Sequence, residues 1–142
     1  MDIHVEIEKI PFVKKIGIKK AGEGGLTLNF DKANHNHLQT IHAGALFTLA
    51  ESASAGALLE FFPEFAGKVA PVVRDAQIKF RKPALHSVTA IASILDESVS
   101  EFKKQFQRRN RSLITVEVAV IDVDQNVVCN AAFNWFVLGI EQ

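Results

Sequence analysis

The chain of 142 residues is the size of one domain, spanning 1–142, and is long enough to bury a core without disulfides or metal. Its sixteen basic and sixteen acidic residues cancel, which argues against general electrostatic affinity for nucleic acid or an anionic membrane and leaves room only for a local basic patch. Cys129 is the lone cysteine, so no intrachain disulfide can form, and a reducing, cytoplasmic setting is the simplest expectation. The opening MDIHVEIEKIPF carries scattered charges and no apolar stretch, unlike a secretory signal. The apolar run 41–62 nears membrane-spanning length, but Thr48, Glu51, Glu60 and several serines interrupt it, so a buried helix is expected instead.

In chain order, residues 12–20 read as a strand. Gly22, Gly24 and Gly25 supply a turn before a second strand at 26–30. Residues 31–42 are polar and rich in Asn and His, which suits an ordered loop. A long helix is predicted over 43–62, stopped by Pro63, because proline neither continues a helix nor favours a helical residue before it. Strands follow at 69–82, ended by Pro83, and at 87–95. The charged segment 96–111 places Val99, Phe102 and Phe106 at helical spacing, predicting a short amphipathic turn. Two β-branched strands, 113–123 and 127–138, flank the turn Asp124-Gln125-Asn126, and Val116, Val118 and Val120 alternate with Glu117 and Ala119. The run DVDQN starting at Asp122 resembles the start of a calcium loop, but Val127 stands where that loop needs glycine and Phe133 where it needs glutamate, so a hairpin is predicted.

Only one long helix emerges, and it is apolar on every side. Its Ala, Gly and Ser positions would let a sheet approach closely, so it calls for an α+β fold in which one antiparallel sheet, its later strands in a meander, curls around it. That is the hotdog arrangement. The run Asn36-His-Leu-Gln39-Thr-Ile-His42-Ala43-Gly44-Ala-Leu-Phe47-Thr-Leu49-Ala50-Glu51 resembles, without a gap, the pattern N-x-x-G-x-x-H-G-G-x-x-F-x-L-A-D of the hotdog acyl-CoA thioesterase superfamily, in particular its PaaI-like group. "RDAQIKFRKPA", from Arg74 to Ala84, echoes the family's Asp-led strand closing on Pro-Ala. Gln39 and Ala43 replace family glycines, Glu51 replaces the usual Asp, and Val73 stands where several relatives of the resembling family carry a water-positioning Ser or Thr.

Thioester hydrolysis requires donors for a developing oxyanion and a group that delivers oxygen. The free amides of the helix start, at Ala43 and Gly44, suit the first task. Glu51 suits the second, and a carboxylate held among Ala, Leu and Phe is expected to titrate above its ordinary range. Eight residues of helix between Ala43 and Glu51 span about 12 Å. One helix therefore cannot bring both groups to the same carbon, whereas two antiparallel helices from two subunits can, so the site is expected only in a homodimer or a higher assembly such as a homotetramer. The resemblance implies the same, since such relatives join their sheets edge to edge. It further implies that Asn36 folds over the helix start to orient water or thioester, while His42 caps the helix or contacts the thioester sulfur. Taken without the family, Glu51 reads equally as an exposed helix residue, His42 as a cap and Asn36 as a turn former.

Lys103, Lys104, Arg108, Arg109 and Arg111 form the most one-sided charge run, read either as a solvated face or, with Arg81 and Lys82, as a landing place for the phosphates of coenzyme A. CoA would enter as part of the substrate, and no other cofactor or metal is expected. His35, His37, His42 and Glu51 show no recognised zinc spacing. Two rivals stand beside hydrolysis: a hotdog dehydratase or hydratase pairing His37 with Glu51, and a hotdog protein that binds acyl-CoA without turnover, as Val73 and Ala43 suggest.

Overall fold

A computed structural model describes residues 6–22 and 24–140. The chain forms six strands, β1 (Lys19–Lys20), β2 (Leu26–Leu28), β3 (Val69–Phe80), β4 (Val88–Ser93), β5 (Arg111–Ile121) and β6 (Val127–Gly139). They make one antiparallel sheet in the order β1-β2-β4-β5-β6-β3. Three helices accompany it: α1 (Pro11–Ile16), α2 (Ala43–Phe61) and α3 (Asp96–Arg109). The sheet wraps α2, which is the hotdog arrangement expected. Strands β4, β5 and β6 form a meander, but β3 does not continue it in sequence order. It crosses to the far edge and pairs with β6 alone.

Two further expectations are corrected. Residues 12–20 are not one strand. Pro11 takes a first-turn position of α1, where its missing N–H costs nothing, and Gly17 closes the helix at φ +90°, a conformation glycine adopts without strain. Only Lys19 and Lys20 remain extended. Nor is α2 the only long helix, because α3 runs for fourteen residues. Asp96 and Glu97 sit in its first turn, Arg108 and Arg109 in its last, each complementing the helix dipole, and Asn110 ends it in the left-handed conformation. Its apolar stripe is the one expected. Phe102 and Phe106 pack with Phe62 and Phe65 at ring separations of 4.6 to 6.0 Å, sealing the C-terminal end of α2.

The hairpin between β5 and β6 forms as predicted. The Asp122 carboxylate accepts from the amides of Asp124 and Asn126, both at 2.9 Å, and those bonds hold its charged form, pulling its pKa below the usual value. Inside the sheet, Val116, Val118, Val120, Phe133 and Trp135 face α2 and are buried. Among the described residues no helix is long and apolar enough to cross a membrane.

Candidate active site

Helix α2 is buried almost all round, as its composition requires, but one stripe remains open. Gly44 and Phe47 are exposed, and Thr48, Glu51, Ala55 and Leu59 are half-buried, at the three- and four-residue spacing that places them on one side. Glu51, Ala55 and Leu59 line a cavity of about 270 Å³ whose other walls include Ile7, Ile10, Phe65, Val69, Pro71 and Trp135. Val69 and Pro71 begin β3, the strand at the sheet's open edge. The chain thus sets the stripe carboxylate against that edge, in mainly apolar surroundings. Burial raises the Glu51 pKa, as the sequence led one to expect, and no side chain neutralises it: among the described residues its carboxylate has neither an ion-pair nor a hydrogen-bond partner.

The walls around Glu51 hold their own polar groups closed. The Ser52 hydroxyl donates to the Thr48 carbonyl at 2.6 Å, and the Trp135 indole N–H donates to Ser54 Oγ at 2.9 Å. Neither Ile7, Ile10 nor Trp135 stood out in sequence. Trp135 was legible only as an inward position of an alternating strand, and the N-terminal segment as nothing more than a charged start.

At the other end of α2, His42 is the N-cap. Its Nδ1 accepts from the Gly44 amide at 2.8 Å, so the capping role read from the sequence is the one seen. That bond modifies the expected oxyanion site. The Gly44 N–H is engaged by the imidazole, whereas the Ala43 N–H has no acceptor among the described residues. Asn36 serves the turn before the helix. Its Oδ1 accepts from the amides of Leu38 and Thr40 at 2.9 and 3.1 Å, and its Nδ2 donates to Thr40 Oγ1 at 2.8 Å. Within this turn Gln39 takes φ +58°, the left-handed region where the resembling pattern has glycine. Glutamine tolerates the position because Asn36 clamps both flanks of it.

Val73 pairs with the inward-facing Trp135, so it faces the α2 side of the sheet at the open edge. A register shift follows at once between Val73 and Asp75, and it turns Asp75 to the outer face, where Asn134 Nδ2 donates to its carboxylate. The basic residues do not form one patch within a chain. Arg81 and Lys82 follow the end of β3, whereas Arg108, Arg109 and Arg111 lie at the end of the sheet where β3 begins, roughly ten residues or about 33 Å of strand away. Arg109 and Arg111 line a groove of about 610 Å³ between α3 and β5. Lys103 is tied to Glu64 at 3.6 Å and stands over the Phe62 ring.

The histidines are scattered: His35 stacks on Phe30 with its Nε2 buried and unpartnered, His37 is exposed in the Asn36 turn, and His42 caps α2. Among the described residues, no three His, Cys, Asp or Glu side chains group closely enough to hold a metal ion.

Comparison with known proteins agrees with this architecture. The family model "Domain of unknown function (DUF4442)" matches residues 7–137. A Pseudomonas aeruginosa protein described as a probable thioesterase superposes with a TM-score of 0.75 at 26% identity, over 94% of this chain and 91% of its own. A Bacillus halodurans protein solved with CoA gives 0.70 at 21% identity, over 89% and 75%. The PaaI protein of the phenylacetic acid degradation operon of E. coli gives 0.64 at 20%, over 86% and 84%. Among the structural neighbours are the PaaI protein and proteins described as a thioesterase or probable thioesterase, and the likeness is to the hotdog fold. No curated protein matches the sequence.

Proposed function

We propose that this chain, which belongs to the DUF4442 family, hydrolyses an acyl-CoA thioester in a site completed by a second copy of itself. The observation that carries the reading is Glu51: a carboxylate without a partner among the described residues, raised in pKa by burial, lining an apolar cavity beside the open sheet edge. The thioesterase and CoA-bound relatives supply the substrate class.

The topology supports the second copy. Helix α2 starts beside the end of β3, since the Ile41 amide donates to the Ala84 carbonyl at 3.0 Å, whereas Glu51 lies beside the beginning of that strand. Two β3 strands pairing antiparallel across the open edges would set the beginning of one against the end of the other. Glu51 of one protomer would then meet the partner's helix start. The same inversion would carry Arg81 and Lys82 toward the end of the partner that holds Arg108, Arg109 and Arg111, joining the two halves of the basic set around the CoA phosphates.

In this site the Glu51 carboxylate takes a proton from water as the water oxygen attacks the thioester carbon. The partner's Ala43 amide stabilises the oxyanion, and the partner's Gly44 amide joins it by exchanging the His42 ring for the substrate oxygen. The C–S bond then breaks, and the CoA thiolate takes up the proton that Glu51 holds, leaving a carboxylic acid, free CoA and the Glu51 carboxylate restored. Direct attack by Glu51, through an anhydride that water cleaves, uses the same geometry. Asn36 acts as a positioning residue that holds the turn delivering the chain to the helix start.

A thiol-release assay on acyl-CoA substrates, with the dimer and with Glu51→Gln, tests the reading. Cys129 would not disturb it, because burial pushes that thiol up to about 11. Release by the native protein and none by the variant is expected. Absence of release from every thioester, or full turnover by the variant, would remove it. Hydration of an enoyl thioester, assayed beside thiol release, separates this reading from the hydratase one that pairs His37, exposed on the turn before α2, with Glu51.

A further inference from the structure

Resting on that reading, we infer that the slot running from Glu51 past Ala55 to Leu59 is the acyl-chain channel, and that it selects unsubstituted acyl groups of medium length. Three observations set this. First, Glu51 and Leu59 are eight residues apart on α2, a distance of about 12 Å. An extended chain advances about 1.25 Å per carbon, given a carbon–carbon bond of about 1.5 Å at the tetrahedral angle, so the slot takes about nine carbons. Its 270 Å³ agrees, since a void of about 150 Å³ with such walls takes up benzene.

Second, the slot ends. Leu59, Phe65, Val69 and Pro71 also border the next void, which holds only about 20 Å³ and is backed by Phe62 and Phe102. A longer chain meets the aromatic seal of α2. Leu59 and Phe65 are therefore the residues that gauge length.

Third, the side chains of the wall offer no free donor to a polar acyl group. Ser52 and Trp135 are already bonded inward, to Thr48 and Ser54, and the remaining side chains beyond Glu51 are apolar. A hydroxyl placed there loses its water and gains no side-chain donor, a difference that an apolar pocket converts into discrimination of up to about a hundredfold.

Trp135 is the sole tryptophan of the sequence and lines the slot, so its fluorescence reports occupancy without turnover. The test compares acetyl-, hexanoyl-, octanoyl-, decanoyl-, palmitoyl- and terminally hydroxylated octanoyl-CoA on the native protein, Glu51→Gln, Leu59→Ala and Ala55→Phe. Expected is kcat/KM highest at octanoyl or decanoyl, about tenfold or more lower for palmitoyl and for the hydroxylated chain. Leu59→Ala moves the optimum to longer chains by joining the two voids. Ala55→Phe removes octanoyl hydrolysis while acetyl hydrolysis persists. Octanoyl-CoA shifts the Trp135 emission of Glu51→Gln, and palmitoyl-CoA does not. Hydrolysis with a flat length profile that Leu59→Ala leaves unchanged overturns the channel and leaves the thioesterase reading standing. A Trp135 response specific to the medium, unsubstituted chain, without hydrolysis of any substrate, upholds the channel and ends the thioesterase reading.

Discussion

The sheet has two edges, and they are built oppositely. Strand β1 is two residues long and consists of Lys19 and Lys20, both exposed. Short length and lysine are what keep an edge from pairing with another chain. Strand β3 is twelve residues long and leaves Val72 57%, Val73 36% and Phe80 47% exposed along an edge that pairs only with β6. Under the proposed function the second edge is the one that joins: it is long, and Val72, Val73 and Phe80 stand exposed there among Arg74, Asp75, Gln77 and Lys79. Glu51 lies beside that second edge, so a change that blocks pairing there is expected to lower chemistry with it, whereas a change confined to the carboxylate lowers chemistry alone.

The most severe break is Glu51→Gln. If Glu51 delivers oxygen, turnover falls by about 10² to 10⁴, while size-exclusion elution stays that of the native assembly. Loss of the assembly in that variant would instead make Glu51 a structural interface residue. Next is Val73→Lys, which gives β3 the lysine protection of β1. The expected outcome is a folded monomer by sedimentation with hydrolysis lowered by about tenfold or more, recovering as protein concentration rises. A Val73→Lys protein that is monomeric and fully active would separate the site from the edge. Lys20→Val on the opposite edge is expected to change neither.

Much of this contrast was legible in the sequence, and the rest was not for specific reasons. The alternation of β5, the Asp122 turn and the small apolar residues of α2 act locally, so each element follows from its own residues. The place of β3 at the edge does not, because strand order depends on a crossover that no local pattern encodes. The strand expected over α1 does not form because Pro11 and Gly17 punctuate strands as readily as helices when only five residues lie between them. Glu51, Asn36 and His42 stand out through the gap-free resemblance to the family pattern, whereas Ile7, Ile10 and Trp135 reach the Glu51 cavity only through packing of distant segments. The basic residues are exposed, but strand length separates Arg81 from Arg111 within one chain, so they can act as one group only across two copies.

Away from the open edge, smaller effects on stability are expected. Ser54→Ala strands the buried Trp135 N–H and should cost about 1–3 kcal/mol in chemical denaturation. His42→Ala removes the α2 cap, about 1 kcal/mol and about 3 °C in melting temperature. It also frees the Gly44 amide, so turnover is expected to stay within a few-fold of native. A large loss of turnover would mean that the ring itself touches substrate.

The smallest effect carries the sharpest sign. Because burial raises the folded-state pKa of Glu51, its neutral form fits the cavity better than its charged form. Relative to an unfolded chain, that contribution is fully present below the ordinary carboxylate value of 4.5 and is lost as pH rises through the elevated folded value. Glutamine has no charge to lose. Glu51→Gln should therefore melt at a higher temperature than the native protein at pH 7, and the gap should close on acidification below the ordinary value. Native turnover should rise over the same interval in which native stability falls, since the ionised carboxylate is both the active form and the poorly accommodated one. A gap that widens on acidification would mean that Glu51 is ionised and held by a partner group, and the contrast between a closed edge and a reactive one would lose its electrostatic basis.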